Sequence, residues 1–184
     1  RPPRSTLFPY TPLFRSTGTK DGLESSLFYL LIYVLMTMVA FMVIEVLSTK
    51  QREVKLLKDF KDLNSSHPWL SLIMLFTMCS MIGILPFAGF YAKWSVLSSL
   101  VAADMIYTAI IAILMTVVAA FYYLRVIWFI YFEKTNQEIG QLESTILQKT
   151  VVSFTGIAIL LVGLYPKPVL DFCRQIISSN LLLD

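Results

Sequence analysis

From Leu27 to Leu47 almost every residue is apolar, with Glu45 the one charged group, and runs of this kind recur along the chain. About 20 apolar residues cross a hydrocarbon core of about 30 Å, so this run predicts a first membrane span. The second run, Trp69 to about Ala103, would make a straight helix of roughly 50 Å at 1.5 Å per residue, too long for one crossing. Its middle reads GILPFAGFYAKW, Gly83 to Trp94. There Pro86 removes a helix donor and crowds the preceding turn, while Gly83 and Gly89 relax the backbone. The run therefore predicts two half-helices joined by an irregular link between Gly83 and Gly89. Irregular backbone at membrane depth survives only where protein buries it or a water-filled cavity bathes it, so a break here points toward a conduit. Met105 to Phe132 gives a third span with Arg125 as its one internal charge, and Thr150 to Tyr165 a fourth, ended by Pro166-Lys167-Pro168. The tail, Val169 to Asp184, has a thin polar face and would lie in the interface with Leu170, Ile176 and Ile177 inward. The fold class is all-α: a multi-pass membrane protein of about four transmembrane helices, one of them broken.

Composition narrows the classes further. The 184 residues are 57% hydrophobic and 15% charged, and the mean hydropathy is +0.70; a soluble domain carries about 25% charged residues, so this chain cannot cover a globular surface. The formal charge of +3 does not form one basic stripe and argues against a nucleic-acid partner. Its basic residues mark topology instead. Lys50, Arg52, Lys55, Lys58 and Lys61 crowd the Ser48–Pro68 loop, which the positive-inside rule places in the cytoplasm. Four crossings then put the start of the first span and the carboxyl terminus outside. Residues 1–21 stand apart from residues 22–184: Pro2, Pro3, Pro9 and Pro12 forbid a helix or buried strand, and Ser5 to Ser16 looks like translated sequencing-adapter DNA. This leader is either non-native or a disordered extracytoplasmic tail.

Candidate chemistry is sparse. Cys79 and Cys173 lie far apart and form no C-x-x-C pair, so no zinc or iron–sulfur cage, and no other metal site, is expected from this chain. One histidine and no Gly-rich phosphate loop leave no nucleotide site and no Ser-His-Asp set. Lys93 stands out. A charge inside the membrane costs about 2.5–3.5 kcal/mol on insertion scales and marks a functional site by default. Removing an ammonium from water favours its neutral form, so a lysine at this depth can exchange a proton. The competing reading starts the second half-helix at Trp94 and lets Lys93 snorkel from an interfacial turn. Arg125 follows Tyr122-Tyr123 about 10 Å from the Glu133 end of its helix. An arginine does not deprotonate in a protein, which leaves it an anchor or an electrostatic modifier. Glu45 closes an i, i+4 series of Tyr29, Tyr33, Thr37 and Phe41 that either packs on a neighbouring helix or wets a channel. His67, with Ser66, falls at the cap of the helix that Pro68 opens. Asp104 reads as a solvated turn residue at the outer surface, and the methionines as packing.

Several strings together carry a resemblance: LFYLLIYVLMTMVAF (Leu27 to Phe41), HPWL (His67 to Leu70), GILPFAGFYAKW and AAFYYLRVIWFIYF (Ala119 to Phe132). They resemble the last transmembrane segments of the subunit N family of bacterial NADH:quinone oxidoreductase, complex I, whose mitochondrial counterpart is NADH dehydrogenase subunit 2. The similarity covers about Gly22 to Leu170. Members have two inverted repeats, each with a broken helix, and are similar to subunits of multisubunit sodium/proton antiporters. The resemblance implies a proton-translocating membrane-arm subunit in the bacterial cell inner membrane, with other complex I membrane subunits, the lipid bilayer and protons as partners. It implies no cofactor on this chain; quinone, FMN and iron–sulfur clusters belong to other subunits. Lys93 occupies the ionisable position of the second repeat's broken helix and would transfer protons, with Gly83, Pro86 and Gly89 forming the break. The family's first repeat is missing, so the chain is expected to be a carboxyl-terminal fragment that does not pump alone. Two alternatives remain: a subunit of a sodium/proton antiporter, and a structural helical scaffold.

Overall fold

The computed structural model describes residues 20–48, 56–134 and 146–181. Among these residues the chain is helical, without strands. Helix α1, Lys20–Leu47, runs 28 residues, about 42 Å. Phe28, Ile32, Met36, Val39, Val43 and Val46 recur at helical spacing and are buried, while Leu30, Val34, Met38 and Phe41 look away from the chain. Both faces are apolar, the pattern of a helix that sits in lipid or between helices.

After α1 the chain makes a single 3-10 turn, Leu57–Phe60, and a short helix α2, Leu63–Ser66. This segment is fastened to the far end of a later helix. The Asp62 N–H, at a left-handed residue with φ 59°, donates to the Glu133 carbonyl at 2.9 Å, and Lys61 pairs with the Glu133 carboxylate. His67 then caps helix α3, Pro68–Ile82, with Pro68 in the first turn, where its missing N–H leaves no bond unmade. Helix α4, Ala88–Ala102, follows the break. Asp104 turns the chain with φ 57° on an exposed surface, as expected of a solvated turn. Helices α5, Ile106–Tyr131, α6, Ile146–Leu164, and α7, Lys167–Leu181, complete the described chain.

By length and apolarity, Gly22–Leu47 and Ile106–Tyr131 each suffice to cross a membrane. Pro68–Ile82 is too short to cross alone. Gln148–Leu164 meets Lys167–Ser178 at 84°, which turns α7 out of line at the Pro166 corner, where the sequence places the end of the fourth span. That helix begins at Ile146, earlier than Thr150. Leu170, Ile176 and Ile177 of α7 are half-buried and Cys173 is fully buried, so one face of α7 does turn inward.

Helix contacts rest on small residues, as membrane interiors require when lipid supplies no hydrophobic drive between helices. A Cβ on Gly156 would lie 2.8 Å from the Ile73 side chain, and one on Gly163 would lie 2.3 Å from the Pro86 carbonyl. α6 therefore lies against both α3 and the break. Polar bonds join the helices: Trp69 Nε1–H to Ser153 Oγ at 2.7 Å, Ser95 Oγ–H to Ser25 Oγ at 2.8 Å, and Arg174 to the Glu24 carboxylate at 3.1 Å.

These links give a consistent polarity. Glu24, Ser25 and Arg174 gather at one end, and Lys61, Glu133 and the α2 segment at the other. Of the five loop cations, Lys58 and Lys61 are described, whereas Lys50, Arg52 and Lys55 lie outside the described residues, as does the leader up to residue 19. The positive-inside rule predicts that Lys58→Cys in a chain freed of Cys79 and Cys173 reacts with a membrane-impermeant thiol reagent only from the cytoplasmic side. Labelling in intact cells would reverse the assigned orientation.

Candidate functional site at the broken helix

The last four carbonyls of an α-helix have no partner within it, and inside a membrane each orphan is expensive. α3 resolves all four at the break. Gly83 takes φ 90°, a left-handed conformation open to glycine, and its N–H reaches the Ser80 carbonyl at 3.0 Å while the Ile84 N–H reaches Cys79 at 3.1 Å. This glycine-based closure accounts for two carbonyls. The other two, Met81 and Ile82, accept bonds from Lys93 Nζ at 2.8 and 2.9 Å. The ammonium thus sits at the negative pole of a half-helix, where the macrodipole favours a cation.

The sequence brings Lys93 there by ordinary helix geometry. Helical side chains lean toward the amino terminus of their helix, so Lys93, in the second turn of α4, reaches back to the end of α3. Gly83 leaves its path clear: a Cβ there would lie 3.1 Å from Lys93 Cδ. Lys93 is only half-buried, with Phe90 stacked against Trp94 at 6.2 Å beside it.

Helical bonding lapses from Gly83 to Phe87, within the predicted link, but Gly89 already belongs to the first turn of α4. Gly89 serves close approach and not backbone freedom. A Cβ on it would fall 1.8 Å from the Ser80 carbonyl oxygen. Pro86 lies in the turn, four residues beyond the last residue of α3, so the left-handed Gly83 ends the half-helix and proline only keeps it from resuming.

The remaining candidates do not join this site. Glu45 is exposed and borders a shallow cavity of about 190 Å³ with Met42, Val46, Gln148, Val151 and Val152, near the start of α6. Its predicted stripe is partly outward, Phe41 and Tyr33 being exposed, although Tyr29 stacks on Tyr33 at 6.1 Å. Arg125 lies 6.0 Å from the Phe129 ring centroid, and Lys61 approaches the same ring at 5.7 Å. Arg125 thereby lies one turn before Phe129, the ring that the Glu133-paired Lys61 also reaches. His67 holds the cap position of α3, its carbonyl accepting from Ser71. Among the described residues no three His, Cys, Asp or Glu side chains come together.

Sequence reasoning missed two residues at the break. Ser80, fully buried, accepts the Gly89 N–H on its Oγ at 3.1 Å, and Gly163 brings α6 within contact of Pro86, Phe87 and Ala88. A lone serine or glycine in an apolar run carries no signal of its own; only the length of the run, which forces a break, hints that some residue must fasten the elbow.

A family model described as NADH:quinone oxidoreductase/Mrp antiporter, TM, matches residues 12–120, beginning inside the leader segment. NADH-quinone oxidoreductase subunit N of Thiobacillus denitrificans is 39% identical over 163 residues, covering 89% of this chain and 34% of that protein. Subunit N of Hydrogenovibrio crunogenus is 41% identical over 155 residues, covering 83% and 32%. A structure of respiratory complex I from Thermus thermophilus with bound aureothin contains a chain that matches with a TM-score of 0.72 and 28% identity, over 86% of this chain and 36% of that one. The chain spans about a third of the length of these relatives. The matched range includes α1, the broken helix and the Lys93 seat, and the chain belongs to the transmembrane family of NADH:quinone oxidoreductases and Mrp antiporters.

Proposed function

We propose that this chain is a segment of a subunit N in a bacterial NADH:quinone oxidoreductase, residing in the cell inner membrane, and that Lys93 passes protons at the broken helix. The observation that carries this reading is the Lys93 ammonium on the Met81 and Ile82 carbonyls. Two opposing effects meet there. Carbonyls at a helix carboxyl end favour the charged lysine, and removal from water favours the neutral one. A group balanced in this way changes protonation when a neighbouring charge moves, which is what a carrier needs. Two N–H bonds of the ammonium are held by carbonyls, and the third, without a partner among the described residues, would hand its proton to water at the break or to a neighbouring group.

The chain's own residues bind, orient and release the proton. Quinone, FMN and iron–sulfur clusters would sit on other subunits and supply the driving energy. Partners are the other membrane subunits of complex I and the surrounding lipid. Arg125, which shares the Phe129 ring with Lys61, suits an anchor at the cytoplasmic interface, His67 suits a helix cap, and Glu45 a packing or groove residue. Residues 22–184 would form the antiporter-like portion, with the first 21 residues as a leader.

An antiporter subunit would use the same break, and the family description includes both assemblies. The two separate on affinity purification of the complete subunit from its native membrane. Co-isolation of NADH:quinone reductase activity is expected. Isolation with an antiporter assembly and no such activity would overturn the assignment.

A further inference from the structure

We infer that Ser80 is a positioning residue for Lys93: its hydroxyl fixes the elbow between the two half-helices and so sets the ammonium on its carbonyl seat. The inference rests on the reading of Lys93 as a proton carrier. Ser80 is fully buried, in the last turn of α3. Its Oγ accepts the Gly89 N–H at 3.1 Å, and its carbonyl lies so close to Gly89 that no side chain fits between. The Gly89 N–H is one of the first amides of α4, which have no partner inside that helix. A single hydroxyl therefore settles an orphan donor and ties the two half-helices together.

The tie falls where it governs Lys93. Gly89 and Lys93 are four residues apart on α4 and share one face, so fastening the Gly89 amide fixes the turn directly beneath the lysine. The carbonyls that hold Nζ belong to Met81 and Ile82, the residues next to Ser80. One end of the Lys93 contact is thus set by the backbone that follows Ser80, and the other by the turn that Ser80 holds. Without the hydroxyl, the Gly89 amide loses its acceptor among the described residues, and the hydrogen-bonded tie between the two half-helices at this point is gone. Two bonds of 2.8 and 2.9 Å from a long flexible side chain then depend on a distance that only steric contacts hold. Gly163 closes the elbow from the α6 side but makes only steric contact, so it cannot replace the hydrogen bond.

The test measures protons moved per NADH oxidised in inverted membrane vesicles containing the assembled oxidoreductase with the complete subunit. Four variants are compared: Ser80→Ala, Ser80→Val, Ser80→Thr and Lys93→Ala. Valine and threonine have nearly the same shape and differ by the hydroxyl. We expect Ser80→Ala and Ser80→Val to lower the proton-to-NADH ratio by roughly twofold or more, the effect on an equilibrium of one buried neutral hydrogen bond, and Ser80→Thr to retain the parental ratio. A loss confined to the amount of complex would leave the ratio unchanged, so the ratio separates positioning from folding. A parental ratio in Ser80→Ala, or equal losses in threonine and valine, overturns the inference. If Lys93→Ala also kept the parental ratio, the carrier reading itself would fail; a low Lys93→Ala ratio beside a parental Ser80→Ala ratio would remove Ser80 alone.

Discussion

Gly89→Ala is expected to cause the largest loss of assembled protein of any single-methyl change at the break. The added Cβ would fall 1.8 Å from the Ser80 carbonyl oxygen and 2.7 Å from its carbonyl carbon. Those atoms are backbone near the end of α3 and cannot rotate aside. Overpacking a tight interior costs about 1–3 kcal/mol, and a blocked backbone puts this site near the upper end, about 3 kcal/mol. Gly83→Ala is the instructive contrast. It places an L-residue at φ 90°, a strain of roughly 1–2 kcal/mol, but the nearest obstruction is the flexible Lys93 stem at 3.1 Å. Membrane abundance and thermal stability of the complete subunit should therefore fall further in Gly89→Ala than in Gly83→Ala. Parental abundance and melting in Gly89→Ala would mean that the elbow is looser than described.

Lys93→Ala is expected to lower proton translocation in the assembled complex, with the proton-transfer step slowed on the order of 100-fold or more, the usual contribution of a positioned acid or base. The variant removes the ammonium seated at the break and leaves the Met81 and Ile82 carbonyls without their donors. Water entering the gap can satisfy those carbonyls, which otherwise cost about 1–3 kcal/mol each. Assembly should then decline modestly while translocation declines steeply. The quantity to measure is translocation per assembled complex, with quinone reductase activity followed in the same vesicles. A decline in abundance alone would assign Lys93 to packing.

Much of this architecture is legible in the sequence because a bilayer leaves few alternatives. Apolar runs of helix-spanning length can only be helices there, and the run from Trp69 to Ala103 is too long for one traverse, so a break near Pro86 follows from length and the proline alone. His67 before Pro68 announces the cap of α3, and Pro166 the corner before α7. What the pattern withholds is which face is covered. Phe28 and Val43 are buried and Leu30 and Phe41 exposed on one helix, yet all four are apolar, so no periodicity separates them. The site was legible only in part. The cost of an intramembrane charge singles out Lys93, but its partners are backbone carbonyls, which every residue carries. Gly83 and Gly89 read alike in sequence, while one supplies a left-handed turn and the other a close contact. Ser80 and Gly163 look like the filler of any membrane helix until the fold sets them against the elbow.

The central claim is that Lys93 carries protons and is not an inert anchor, and Lys93→Arg tests it most directly. A carrier must visit its neutral form, which a desolvated lysine reaches and a guanidinium does not. An anchor needs only a long cationic side chain, which arginine supplies equally well. The measurement is protons moved per NADH oxidised by inverted vesicles bearing the normally assembled Lys93→Arg complex. The account predicts a ratio as low as that of Lys93→Ala despite the retained charge; a parental ratio in Lys93→Arg would contradict it.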